Sequence, residues 1–284
     1  MPGNAFRPPA IKNRMKMMRK LFLLFCLLCS ASLQAQALWG PMSKVVTDSI
    51  YSENLKAWRA YTIYLPKSYE AQPDRKYPIL YLLHGVIGTN LGWFHDQRAN
   101  EVADQLMDSG EACEMIIVSP NAGGNPPTKY QNGYFNMPGW PYEDFFYQEF
   151  MPYIEKTYRV IGDKQHRAIA GLSMGGYHSL HISKQYPDMF NYVGLFSAAI
   201  MPDQKVKSPI YDDFDQKLAT QFAKKPALYW IGIGKTDFLY QANTDYRKLL
   251  DERGYKYEYY ESEGGHIWRN WRIYLTEFAP KLFK

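Results

Sequence analysis

Cysteine is scarce in this chain of 284 residues, which contains three: Cys26, Cys29 and Cys113. The first two lie in an amino-terminal segment that we interpret as a leader, so Cys113 alone remains in the rest of the chain. A single cysteine cannot form an internal disulfide, and it cannot build a cysteine-rich metal site. The sequence therefore predicts a fold that is stabilised by a hydrophobic core.

Outside this leader, the chain also lacks any large net charge. The whole chain has 33 Lys and Arg residues against 28 Asp and Glu residues. The leader holds six of the basic residues and none of the acidic ones, which leaves 27 basic against 28 acidic residues. Because nucleic-acid-binding domains usually carry a basic surface, we expect no nucleic-acid partner.

The leader itself has the three parts of an export signal. A basic segment precedes an apolar run from Leu21 to Cys29, and Ala-Gln-Ala at 35–37 is a small-residue cleavage signal. The apolar run is too short to span a bilayer comfortably, and a buried core helix is the alternative. We therefore predict a leader at 1–37, a domain at 38–284, and a secreted or periplasmic protein without a membrane span after leader removal.

Strand and helix patterns alternate over the rest of the chain. Polar and apolar residues alternate at 44–49 and 59–65, which indicates two half-exposed antiparallel strands. Continuous apolar runs at 77–83 and 115–119 are typical of strands that are buried on both faces. Segments with helical periodicity lie between the later predicted strands, and we expect the segment 203–223 to be a polar insertion. The alternation predicts an α/β fold: a single domain with a mostly parallel central sheet and helices on both faces.

Residues 168–176, Ala-Ile-Ala-Gly-Leu-Ser-Met-Gly-Gly, have the pattern of a strand, a sharp turn and the start of a helix. Gly171, Ser173 and Gly175 form Gly-x-Ser-x-Gly, the pattern of a nucleophile elbow. The glycines allow a tight turn, which exposes the serine above the sheet edge. The backbone N–H of Met174 would then point to an oxyanion formed at the serine. A tight strand-to-helix connection without chemistry is the alternative for the isolated motif.

A serine nucleophile needs a base to take its proton and a third group to orient that base. His266 follows the last predicted strand, and two preceding glycines allow its loop to approach the serine. Asp237 follows a buried strand predicted at 227–233, where this kind of fold places the acid. Glu261 and Glu263, beside the histidine loop, are the alternatives for the acid.

The loop after the strand at 77–83 is expected to supply the second oxyanion donor, from Gly85 or Val86. A simple strand-to-helix turn is the alternative for this loop. His84, at the beginning of the loop, we interpret as a structural side chain that fixes the turn.

Three tryptophans, Trp93, Trp140 and Trp268, lie near the predicted site loops. Indole rings could stack on an aromatic acyl group or on sugar rings, so these residues are candidates for substrate binding. Anchoring of the core or of the loops is the alternative for each. Trp140 belongs to a long irregular segment at 120–141, and loops of that length in compact domains are usually functional.

Taken together, these residues resemble the esterase family that includes feruloyl esterases, S-formylglutathione hydrolase and the mycolyltransferases. The resemblance runs from Tyr61 to Phe278 and is carried by Leu-Ser-Met-Gly-Gly at 172–176 and Gly-Gly-His-Ile-Trp at 264–268. It implies an α/β-hydrolase fold. The roles that it implies are nucleophile for Ser173, acid for Asp237, base for His266, and oxyanion donors near Val86 and at Met174.

The resemblance implies a serine carboxylester hydrolase that needs no metal and no other cofactor, acting on a small-molecule or polysaccharide ester. With an export leader, the chain is most similar to the feruloyl esterases, which release hydroxycinnamic acids from plant cell-wall xylan. An esterase for acetyl xylan or other short acyl groups is the alternative, and acyl transfer to a sugar would need a site that excludes water. A non-catalytic carbohydrate-binding protein with a hydrolase fold is the alternative of another class.

Overall fold

The computed structural model describes residues 42–122, 142–200 and 211–284. The predicted leader, Trp140 and most of the 120–141 segment lie outside these residues. From Ser43 onward the described residues belong to one compact unit.

Eight strands of the described residues form one sheet. They are β1 (Lys44–Ser52), β2 (Ala57–Leu65), β3 (Ile79–Leu83), β4 (Ile116–Pro120), β5 (Arg167–Leu172), β6 (Tyr192–Phe196), β7 (Leu228–Gly234) and β8 (Glu258–Ser262). Their spatial order is β1-β2-β4-β3-β5-β6-β7-β8. β1 pairs with β2, and β2 with β4, in antiparallel fashion, whereas all later neighbours are parallel. The predicted mostly parallel sheet is confirmed.

Helices cover both faces of this sheet in the described part of the chain. They are α1 (Ser68–Ala71), α2 (Ala99–Asp108), α3 (Tyr142–Phe145), α4 (Met151–Thr157), α5 (Met174–Gln185), α6 (Phe214–Ala223), α7 (Tyr240–Glu252) and α8 (Trp268–Phe278). A π-helical turn, Phe146–Phe150, joins α3 to α4, and a second one spans Gly92–Asp96. α2 and α8 pack on one face, and α3 to α7 pack on the other.

Two hydrophobic clusters lie on the two faces, and the central strands contribute to both. In β3, Ile79, Tyr81 and Leu83 belong to one cluster, while Leu80 and Leu82 belong to the other. Successive side chains of a strand point to opposite faces, so a strand covered on both sides must be apolar throughout. This explains why the buried strands appear in the sequence as continuous apolar runs.

The segment 203–223, which we expected to be a polar insertion, ends in α6. Leu218 in this helix is fully buried in the cluster beneath α5 and α7. Among the helices of the described residues, none is long and apolar enough to cross a membrane.

Candidate active site

Ser173 lies between β5 and α5 in a backbone conformation that side chains rarely adopt, with φ 54° and ψ −114°. A positive φ at a residue other than glycine is strained and persists only where neighbouring groups hold it. Here the Ser173 N–H donates to the Phe196 carbonyl at 2.9 Å. The Ser173 carbonyl accepts from the N–H groups of Tyr177 at 3.1 Å and Ala199 at 3.0 Å. The strained turn is thus fixed by the ends of β6 and α5.

The surroundings of Gly175 explain why this position of the turn requires glycine. A Cβ at this position would lie 2.7 Å from the His84 carbonyl oxygen, and it would also collide with the backbone of Leu83. The first turn of α5 therefore packs directly on the carboxyl end of β3. Any larger residue would separate the elbow from the loop that begins there.

The loop after β3 passes beside the serine. A Cβ added to Gly85 would lie 3.5 Å from the Ser173 Cβ and 2.7 Å from the Leu172 Cδ1. The carbonyl of Gly85 accepts a hydrogen bond from the N–H of Gly88 at 3.0 Å, which closes a tight turn around Val86. Backbone N–H groups of this turn and of Met174, the first residue of α5, are thereby close to the Ser173 side chain.

His84 is fully buried, and both of its ring nitrogens are engaged. Nδ1 donates to the Gly85 carbonyl at 2.7 Å, and Nε2 accepts from the Ala122 N–H at 2.9 Å. Burial lowers the pKa of His84 to about 4, so the ring is neutral at pH 7. The side chain joins the turn after β3 to the end of β4. This is the structural role that we expected from the sequence.

Asp237 and His266 are brought together by the loops after β7 and β8. His266 Nδ1 lies 2.9 Å from Asp237 Oδ2 and 3.0 Å from Oδ1, and the Asp237 side chain is fully buried. Asp237 Oδ1 also accepts the N–H of Leu239 at 2.9 Å. A carboxylate at Nδ1 fixes the imidazole tautomer with the proton on Nδ1, which leaves Nε2 as a proton acceptor.

The two alternative acids are engaged elsewhere. Glu261 accepts hydrogen bonds from the hydroxyl groups of Tyr240 and Tyr259, each at 2.7 Å. Glu263 forms an ion pair with Lys235, and its side chain is 77% exposed. The carboxylate that contacts His266 is therefore that of Asp237.

The histidine loop is held by one backbone and one side-chain hydrogen bond. The Thr236 N–H donates to the Gly264 carbonyl at 3.0 Å, and Asn270 Nδ2 donates to the Gly265 carbonyl at 2.9 Å. Gly264 has φ 85°, a conformation that glycine adopts without strain. Asn270 is fully buried at the start of α8 and so connects His266 to the core.

The candidate tryptophans differ in their surroundings. Trp93 is fully buried, donates from Nε1 to the Leu83 carbonyl at 3.1 Å, and packs edge to face on Phe196 and Trp268. This burial argues against sugar stacking by Trp93 and favours the alternative of a core anchor. Trp268 is half-buried between Trp93 and Trp271. Trp140 is outside the described residues.

A cavity of about 670 Å³ adjoins the site on the side of α5, α6 and α7. Its wall is mostly apolar and includes Leu180, Ile200, Phe214 and Phe238. The Phe238 ring lies 4.5 Å from the His266 ring between centroids. Phe238, which directly follows Asp237, was not among the residues predicted for the site, although its position in a loop after a buried strand was a usable signal.

The arrangement has the parts that acyl transfer requires. A strained serine stands beside two sets of backbone donors, and a histidine with a fixed tautomer contacts a buried carboxylate. Among the described residues, His, Cys, Asp and Glu side chains form no group of three that could hold a metal ion.

Comparisons with known proteins agree with this geometry. A family model named Esterase, described as "Putative esterase", matches residues 52–282. The chain is 28% identical over 240 residues to the endo-1,4-beta-xylanase/feruloyl esterase of Xylanibacter ruminicola, covering 83% of this chain and 31% of that protein. It is 25% identical over 276 residues to the acetyl esterase of Caldicellulosiruptor saccharolyticus, covering 82% and 95% of the two chains.

A solved structure of a ferulic acid esterase is 42% identical to this chain, with a TM-score of 0.76. The match covers 85% of this chain and 98% of that one, and the predicted α/β-hydrolase architecture is thereby confirmed. Because the family model spans far more than half of the sequence, the chain belongs to this family of esterases.

Proposed function

We propose that this protein is an exported serine carboxylester hydrolase that releases hydroxycinnamic acids such as ferulic acid from plant cell-wall xylan. One observation carries the proposal. Ser173 lies in a strained conformation on the elbow between β5 and α5, and the loops after β7 and β8 place His266 Nδ1 2.9 Å from Asp237 Oδ2. Family membership supports the reaction class. Export is proposed from the leader-like segment at 1–37.

In the proposed mechanism, Ser173 Oγ attacks the ester carbonyl carbon while His266 Nε2 takes the hydroxyl proton. The carbonyl oxygen becomes an oxyanion, which the Met174 N–H and an N–H of Gly85 or Val86 stabilise. The C–O bond to the alcohol then breaks, and His266 returns the proton to the leaving oxygen. Water, deprotonated by His266, attacks the acyl-enzyme. The acyl bond to Ser173 Oγ then breaks, His266 returns the proton to Oγ, and the acid leaves. Asp237 stabilises the imidazolium in both halves.

The cavity beside His266 supports an aromatic acyl group. Its volume of about 670 Å³ falls in the range of small-molecule sites, and an acetyl group would leave most of it empty. Apolar side chains such as Ile200, Phe214 and Phe238 form a suitable wall for a hydroxycinnamoyl ring. The feruloyl esterase names of two relatives point to the same substrate.

A short-acyl esterase is the second candidate, because the Caldicellulosiruptor relative that is matched over 95% of its length is an acetyl esterase. The chain spans only 31% of the Xylanibacter relative, so the xylan substrate of this protein remains part of the proposal.

The test is hydrolysis of methyl ferulate, 4-nitrophenyl acetate and acetylated xylan by purified residues 38–284, with Ser173→Ala as the matched blank. We expect serine-dependent turnover that favours methyl ferulate. A preference for acetyl esters would keep the mechanism and assign the protein to the second candidate. Activity that survives in Ser173→Ala would identify a different nucleophile. Absence of serine-dependent turnover on every ester would favour a non-catalytic carbohydrate-binding protein.

A further inference from the structure

The hairpin that joins β1 to β2 stands at the same edge of the sheet as Ser173. β2 is antiparallel to β4, and Tyr61 is paired with Pro120, the last residue of β4. The preceding residues of β2 therefore extend beyond the carboxyl end of β4, and the Asn121 N–H donates to the Ala60 carbonyl at 2.8 Å. The carboxyl ends of β3 and β5 belong to this edge, together with the elbow and with the loop 84–88, which we call the oxyanion loop after its proposed role.

Two aromatic side chains are exposed on this hairpin. Tyr51 and Trp58 are direct cross-strand partners, with ring centroids 5.7 Å apart and ring planes at 70°. They are 42% and 67% exposed, and Trp58 is the only exposed tryptophan of the described residues. Large aromatic side chains are usually buried, so an exposed pair of this kind marks a contact surface.

Geometry connects the pair to the active site. β4 and β3 lie between β2 and β5 in the sheet. Trp58 on β2 is therefore three strand spacings, or about 14 Å, to the side of β5, the strand that leads into Ser173. Trp58 and Thr62 share one face of β2, and Asn90, in the continuation of the oxyanion loop, donates to Thr62 Oγ1 at 2.9 Å. Ile87 in that loop is 97% exposed. Thr62 and Asn90 are buried, so the hydrogen bond between them ties β2 directly to the loop that begins after β3.

The charge of the hairpin favours a neutral occupant. Glu53 and Lys56 in its turn form an ion pair at 2.9 Å, so the turn presents no excess of either sign. A flat sugar ring, which has apolar C–H faces and no charge, matches an exposed indole and phenol better than a polyanion or a phosphate does.

We propose that Tyr51 and Trp58 form a stacking subsite for sugar rings of the polysaccharide that carries the scissile ester. This inference rests on the proposed function and adds a second contact for its polymeric substrate, on a strand that lies about 14 Å to the side of the serine strand. The methyl ester of a hydroxycinnamic acid is too short to reach from Ser173 to this pair, whereas a chain of several sugars spans the distance.

The experiment compares kcat/KM on feruloylated arabinoxylan and on methyl ferulate for the wild type, Trp58→Ala, Trp58→Phe and Tyr51→Ala. Val46→Ala, a change at an exposed apolar residue of β1 away from the hairpin turn, is the matched control. We expect Trp58→Ala to lose about two- to tenfold on the polymer and nothing on methyl ferulate, with Trp58→Phe retaining most of the polymer activity. Ester-free arabinoxylan in a native gel should retard Ser173→Ala protein, and adding Trp58→Ala should weaken that retardation.

The outcomes separate this inference from the proposed function. If the wild type hydrolyses neither ester, the proposed function fails, while loss of gel retardation on Trp58→Ala still supports the sugar subsite. Unchanged polymer kinetics and unchanged retardation in Trp58→Ala would overturn the subsite. Equal losses on both substrates would overturn it too, because they indicate a structural role. A wild-type dimer that Trp58→Ala converts to a monomer in light scattering would assign the pair to a second copy of the chain.

Discussion

Replacement of Asp237 by Asn tests the proposed mechanism most directly, because the change alters hydrogen-bond polarity at nearly constant volume. In the native site, Oδ1 accepts the Leu239 N–H at 2.9 Å, and Oδ2 faces His266 Nδ1 at 2.9 Å. The asparagine oxygen must remain on the Leu239 N–H, since an amide NH₂ cannot accept it. The NH₂ group then replaces Oδ2 at 2.9 Å from His266 Nδ1 and cannot accept its proton, while the remaining oxygen, 3.0 Å from Nδ1, already accepts the Leu239 N–H.

This reversal forces the proton of the neutral imidazole onto Nε2. His266 then cannot take the proton of Ser173, and no carboxylate stabilises the imidazolium. In serine hydrolases of this chemistry the equivalent change lowers kcat by about 10⁴, which corresponds to roughly 5 kcal/mol of activation free energy. We expect a loss of that size on methyl ferulate or 4-nitrophenyl acetate at pH 7. KM should change little, because the side chain of Asp237 is fully buried.

Glu263→Gln provides the matched control, since it removes one carboxylate from the neighbouring loop without touching His266. It should retain wild-type turnover. Thermal unfolding of both variants should resemble that of the wild type, which separates a catalytic loss from a folding loss. The reasoning would be refuted by an Asp237→Asn enzyme within tenfold of the wild type, or by a large loss in Glu263→Gln.

Two further predictions concern stability. Burial lowers the pKa of His84 from 6.5 to about 4, so between these pH values the unfolded chain binds a proton that the folded chain does not. The free energy of unfolding should therefore fall by roughly 3 kcal/mol as the pH is lowered through this window, and urea titrations of His84→Asn should lack that part of the decrease. Glu155 accepts from Arg167 Nε at 2.6 Å and Nη2 at 2.7 Å in a largely buried pair. Glu155→Gln should lower the free energy of unfolding by about 3 kcal/mol in urea, and a loss below the error of the titration would contradict this.

The middle of the sheet was predictable because its central strands are covered on both faces. Continuous apolar runs located β3 and β4, and alternation located the antiparallel pair β1 and β2, although residues 61–65 of β2 are buried and not half-exposed as expected. α6 was missed although Phe214, Leu218 and Phe222 recur at helical spacing, because the polar residues of the segment before them indicated an insertion. The π-helical turn Phe146–Phe150 likewise interrupts a helix that has uniform periodicity in the sequence.

The candidate site was predictable to the extent that local chemistry specifies it. The strained conformation at Ser173 follows from Gly-x-Ser-x-Gly, since the collision of a Cβ at Gly175 with β3 is a local constraint. The choice among three carboxylates for His266 depended instead on which loop ends meet. Glu263 is nearer in sequence than Asp237, but its side chain points to Lys235 and solvent.

The tryptophans show most clearly why proximity in sequence is a poor guide to proximity to substrate. Trp93 follows the oxyanion loop closely, yet its ring is sealed in the core and its Nε1 supports the end of β3 through the Leu83 carbonyl. Its effect on the site is therefore structural, because it supports the end of β3, where the loop beside Ser173 begins. Trp58 is far from every motif in the sequence, but the antiparallel register of β2 carries it past the end of β4 to the active-site edge, with two thirds of its surface open. Strand direction, which a local pattern does not encode, thus decides which indole is exposed at the active-site edge.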